Sequence, residues 1–66
     1  MNAIRIGEKL LKLRGERSQR TVAKEVGTTQ AAICMYEKGQ RIPKDDLKIK
    51  LADYYGTTVQ ELFFSP

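Results

Sequence analysis

Residues 18–39 read SQRTVAKEVGTTQAAICMYEKG, and how they fold decides how the rest of the chain folds. Val22, Ala23 and Val26 mark the inner face of one short helix. Gly27 follows, where the chain must turn and a left-handed backbone is cheap only without a Cβ. Thr29 is placed to cap a second helix, its hydroxyl accepting from a free N–H two or three residues on. Ile33 and Tyr36 then face inward. The expectation is a helix over Gln19–Val26 behind Ser18, a tight turn, and a helix over about Gln30–Lys38 behind Thr29. Ala23 lies one turn before Gly27, so the two helices should cross close to it. Glycine-ended helices also occur in ordinary helical hairpins, and the turn alone does not separate the two arrangements.

Outward from this stretch the pattern stays helical. Ile6, Leu10 and Leu13 recur at i, i+4 and i+7, predicting a helix from about Ile4 to Arg14. Gly7 interrupts it at a cost of up to about 1 kcal/mol relative to alanine. Gly15-Glu16-Arg17 forms the connection. After Gly39, the segment Gln40-Arg41-Ile42-Pro43 reads as a loop, with Ile42 held extended by the proline. A fourth helix begins near Lys44 or Asp45, where two aspartates suit the positive end of its dipole. Its inner stripe is Leu47, Leu51 and Tyr54, with Ala52 and Tyr55 at the margins, and Gly56 stops it. A short fifth helix runs from Val59 to Phe63 or Phe64, opened by the capping-box pair Thr58 and Glu61. No period-2 alternation is long enough for a strand. The fold class is all-α, five short helices in one domain over residues 1–66.

The 66 residues carry a net charge of +4, unevenly placed. Residues 1–44 hold ten Lys/Arg against four Glu, while residues 45–66 hold two Lys against four acids. The basic half contains the helix pair, and a positive face attracts phosphate polyanions. Cys34 is the one cysteine, so no internal disulfide forms, and a reducing cytoplasm is the expected setting. No apolar run approaches the ~20 residues that span a bilayer, and no secretory signal is expected. Histidine is absent, which removes a Ser/His/Asp constellation, and no metal cluster or phosphate-binding glycine loop is visible. These features point away from an enzyme and from any cofactor.

Together, Ser18-Gln19, Val22-Ala23, Val26-Gly27-Thr28-Thr29-Gln30, Ile33, Tyr36-Glu37-Lys38-Gly39, Pro43, Leu51-Ala52 and Tyr55-Gly56 resemble the Cro/phage-repressor, or XRE, family. The resemblance runs from about Ile4 to Leu62 in one register. It implies a lambda-repressor-like fold with a helix-turn-helix over about residues 18–38. It also implies sequence-specific binding of double-stranded DNA by a small transcriptional regulator, most simply a repressor, of bacterial or phage origin. Members usually bind as homodimers on palindromic operators. Met1 to Ile4 or the Leu62-Phe63-Phe64 tail would supply the contact between copies.

The resemblance also places site residues. Gln30 opens the second helix of the motif, where side chains reach base edges, and its amide matches adenine N6 and N7. Ala31 and Met35 match further base-contacting positions but offer no bidentate hydrogen bond; they suit thymine methyl groups. Cys34 lies one turn after Gln30, as a small packing residue or a loose base contact. Ser18 and Gln19 would meet a phosphate at the start of the first helix, with Gln19 bracing Gln30. Thr29, Lys38, Arg41 and Lys44 complete the phosphate set, with Arg20 and Lys12 as lesser members. Glu37, whose charge would repel phosphate, is expected inward, paired with Lys12 on the first helix. Two other roles stay open: a protein-interaction module that does not touch DNA, favoured by the apolar Ala31, Cys34 and Met35, and an antitoxin or restriction-controller role within the DNA-binding class.

Overall fold

Three of the helices begin behind a side chain that accepts from their free amides. In the computed structural model, which describes residues 1–66, Asn2 Oδ1 accepts from the N–H groups of Ile4 and Arg5 at 3.1 Å each. Ser18 Oγ accepts from Thr21 N–H at 3.0 Å, and Thr29 Oγ1 from Ala32 N–H at 3.1 Å. These caps fix the starts of α1 (Ala3–Arg14), α2 (Gln19–Val26) and α3 (Gln30–Glu37). α4 (Asp45–Tyr54) starts after Lys44 with no side-chain cap, its first turn carrying Asp45 and Asp46. The last element, α5 (Gln60–Phe64), is one widened turn of π-helix. Thr58 Oγ1 accepts from Glu61 N–H at 3.1 Å, so half of the expected capping box forms. The chain is all-helical, and none of its helices is long and apolar enough to cross a membrane.

The turn between α2 and α3 closes as expected. Gly27 takes φ 83° and ψ 40°, the left-handed region. The Ala23 carbonyl accepts from both Gly27 N–H at 2.9 Å and Thr28 N–H at 2.8 Å, which satisfies the end of α2 and reverses the chain. Ala23 is itself buried where α2 meets α3.

The core is Ile6 and Leu10 from α1, Val22, Ala23 and Val26 from α2, Ile33 and Tyr36 from α3, Leu51 and Ala52 from α4, and Leu62 and Phe63 from α5. Ala52 is fully inside rather than marginal, and Tyr54 is only half-buried. Of the two terminal phenylalanines, Phe63 is sealed in and Phe64 is exposed. α1 and α2 both pack on α3. Gly7 is the contact point of α1: a Cβ there would lie 2.4 Å from the Glu37 carbonyl oxygen and 2.7 Å from that of Tyr36. The glycine that costs helix propensity is thus what lets α1 lie against the end of α3.

Candidate nucleic-acid interface

With Ile33 and Tyr36 buried, the helical repeat turns the opposite side of α3 outward. Gln30 and Ala31 are exposed there, and Cys34 and Met35 are half-buried beside them. Lys38 caps the far end of α3 and is exposed, as are Arg41 and Lys44 in the loop that follows. The four residues expected to meet bases thus share the outward side of α3, while Arg41 and Lys44 line a cleft beside it with Thr28 and Tyr36. Gln30 makes no hydrogen bond within the chain, so its amide is free to choose a partner outside it.

The N-terminus of α2 is arranged differently from the expectation. Ser18 Oγ donates to Thr21 Oγ1 at 2.9 Å as well as capping the helix, so its hydroxyl is used within the first turn. Gln19 does not brace Gln30. Its Nε2 donates to Glu37 Oε1 at 2.9 Å. This leaves its second N–H and its carbonyl for other partners. Thr29 is exposed, its hydroxyl oxygen accepting from Ala32 while its proton stays available.

Glu37 is inward, but its partner is Arg14 and not Lys12. Arg14 Nε donates to Glu37 Oε2 at 2.7 Å and Nη2 to Oε1 at 3.1 Å, a bidentate grip. The helical repeat explains the correction. Arg14 follows Gly7 by seven residues and Leu10 by four, so it shares the face that meets α3. Lys12 is turned about 200° from Leu10 and stands exposed. The series Gly7, Leu10, Arg14 held this signal in the sequence. Arg14 Nη1 also donates to the Arg17 carbonyl at 2.7 Å, tying the α1–α2 connection to the same pair. One glutamate thus joins three elements, α1, α2 and α3, beneath the outward side of α3.

Two further clusters hold the frame behind that surface. The Arg17 guanidinium lies 5.2 Å from the Tyr54 ring centroid and 5.3 Å from that of Tyr55. The two rings meet edge to face, and the Tyr54 hydroxyl donates to Glu25. Lys9, on α1, donates to the carbonyls of Glu61 at 3.0 Å and Ser65 at 2.7 Å, holding the tail. Both clusters escaped the sequence reading, because cation–aromatic and lysine–carbonyl contacts between distant elements leave no local pattern.

Comparison with known proteins agrees with this architecture. The helix-turn-helix family model HTH_3 matches residues 8–62. Among solved structures, the restriction-modification controller protein C.AhdI from Aeromonas hydrophila superposes with a TM-score of 0.82 at 30% identity, over 94% of this chain and 93% of that one. No curated protein sequence matches. A family match over this much of the chain, with the capped turn and the outward face of α3 in place, leaves one assignment: the chain belongs to the helix-turn-helix family of the Cro/phage-repressor type, whose members are DNA-binding transcriptional regulators.

Proposed function

We propose that this chain recognises a specific operator as a homodimer, with α3 of each copy in the major groove. The observation that carries the reading is the outward side of α3, where Gln30 stands unpaired with Ala31, Cys34 and Met35, and after which Lys38, Arg41 and Lys44 are all exposed. Gln30 reads an adenine edge, the apolar neighbours contact thymine methyls, and the basic residues hold the backbone. Ser18 and Gln19 present the start of α2 to a phosphate, through helix amides and the uncommitted N–H of Gln19. With so little hydrogen-bonding capacity on α3, indirect readout of DNA shape supplies part of the specificity. The likeness to a restriction-modification controller over nearly the whole of both chains favours a controller role of that kind. The setting is the cytoplasm.

The proposed dimer face joins the two ends of the chain. Met1 and Phe64 line one cleft, Ile4 is exposed on the same terminus, and Lys48 lies 5.9 Å from the Phe64 ring beside exposed Ile49. Two copies joined there would present two α3 helices to half-sites about one turn, ~34 Å, apart.

Selection of duplexes from a randomised pool tests the reading. The expected result is an enriched palindromic motif, with affinity falling steeply as salt rises. A pool that enriches nothing at low salt would overturn operator recognition. Salt-indifferent capture of a protein partner through α3 would favour the interaction-module role instead.

A further inference from the structure

Tyr36 has a role left over. Its ring is core, and only 6% of the residue is exposed. Yet its hydroxyl makes no hydrogen bond within the protein and is not among the sealed polar atoms. A buried phenol normally finds a partner. The surface that Tyr36 reaches is a cleft of about 310 Å³ between the α2–α3 turn and the start of α4. Thr28, Arg41, Lys44 and Lys50 line it with Tyr36, and Asp46 stands on its rim. Three cations oppose one carboxylate, so the cleft favours an anion. Lys44, Asp46 and Leu47 bring the start of α4 to its wall, and that helix lacks the side-chain cap that α1, α2 and α3 possess. Buried Pro43 holds the loop that carries Arg41 and Lys44 in place.

We propose that the Tyr36 hydroxyl donates to a phosphate oxygen of the bound duplex, in this cleft at the edge of α3. The inference rests on the DNA-binding reading and deepens it. Arg41, Lys44 and Lys50 supply charge, while Tyr36 supplies a fixed donor. A donor on a ring locked in the core loses little freedom on binding, unlike one on a long basic side chain. The contact therefore sets how far α3 sinks toward the groove and does not itself read sequence.

The test compares wild type with Tyr36→Phe on the duplex that selection yields. The variant keeps the ring, so its melting temperature should match wild type. Its affinity should fall about tenfold, with base preference unchanged. A scan with neutral methylphosphonate links should find one phosphate per half-site whose replacement weakens wild type but hardly affects the variant. If Tyr36→Phe binds as tightly as wild type while Gln30→Ala still loses specificity, this phosphate contact is wrong and operator recognition stands. If wild type binds no duplex, operator recognition fails and the contact fails with it.

Discussion

Arg14 and Gln19 meet on the same carboxylate oxygen: Arg14 Nη2 lies 3.1 Å and Gln19 Nε2 2.9 Å from Oε1 of Glu37. The side chain of Glu37 is only 5% exposed, so these partners stand in for the water its carboxylate has lost. Hydrogen bonding to Glu37 raises the Arg14 guanidinium above its ordinary pKa. Arg14→Ala would strand the carboxylate and should cost about 3 kcal/mol in urea unfolding. Lys12→Ala should change stability by less than about 0.5 kcal/mol. Arg14→Lys keeps a charge but loses the fork, and should fall between them. Equal losses for Lys12→Ala and Arg14→Ala would contradict the pairing.

Gly7 makes the opposite point about propensity. On an isolated helix Gly7→Ala would gain about 1 kcal/mol. Here the new Cβ would meet two backbone carbonyl oxygens, at 2.4 and 2.7 Å, and backbone cannot swing aside as a side chain does. α1 must lift from α3, loosening the Arg14–Glu37 grip with it. The expected outcome is destabilisation of about 2 kcal/mol or more, read by thermal or urea unfolding. A stabilised Gly7→Ala variant would show that the helices do not approach this closely.

The helices were legible because they are local, although the Asn2 cap that starts α1 at Ala3 was not among the signals read. Ser18, Thr29 and Thr58 announce themselves by position, and Gly27 by the break it makes between two apolar faces. The outward side of α3 followed from Ile33 and Tyr36 being inward. What the sequence hid were choices between neighbours that only packing makes. Lys12 and Arg14 are both cations on α1, and the repeat from Gly7 through Leu10 to Arg14 separates them only once Gly7 is known to face α3. Phe63 and Phe64 are chemically identical, and the widened turn of α5 decides which one enters the core. The Tyr36 hydroxyl was hidden for another reason: helical periodicity places the ring inward but does not say where the atom at its far end emerges.

That division between Phe63 and Phe64 is measurable. Phe63→Ala empties a fully buried site and should cost about 3–5 kcal/mol, enough to unfold a domain this small. Phe64→Ala removes a ring that is 51% exposed and should leave monomer stability nearly unchanged. If the proposed dimer face is right, Phe64→Asp should dissociate the dimer in sedimentation equilibrium while the far-ultraviolet spectrum stays helical. A Phe64→Asp variant that remains dimeric would place the contact elsewhere.

Alkaline stability should report on Tyr55. Burial, and then the charge of Glu37, push its phenol up from 10.0 to about 12, while Arg17 pulls the other way. A pKa raised on folding means that the folded state prefers the protonated form. The contribution is whole below pH 10, the unfolded value, and is lost as pH rises from 10 toward 12. Tyr55→Phe cannot ionise, so its melting temperature should fall less than that of wild type across that window. Parallel curves for the two proteins would mean that Tyr55 titrates as it does in an unfolded chain.

Gln30 and Arg41 separate base reading from backbone holding. The Gln30 amide is neutral, so Gln30→Ala should leave the salt dependence of binding unchanged. It should relax preference at one base pair in each half-site, a loss of discrimination of about 1–3 kcal/mol. Arg41→Ala removes a cation and should weaken binding to every sequence alike. Its logarithmic salt slope should fall by about one per half-site. Measuring both variants on matched and mismatched duplexes over a range of salt gives four slopes, and the two mutations should move different ones. If Gln30→Ala altered the salt slope and Arg41→Ala altered base preference, α3 would lie across the duplex in another orientation, with its loop in the groove and its first turn on the backbone.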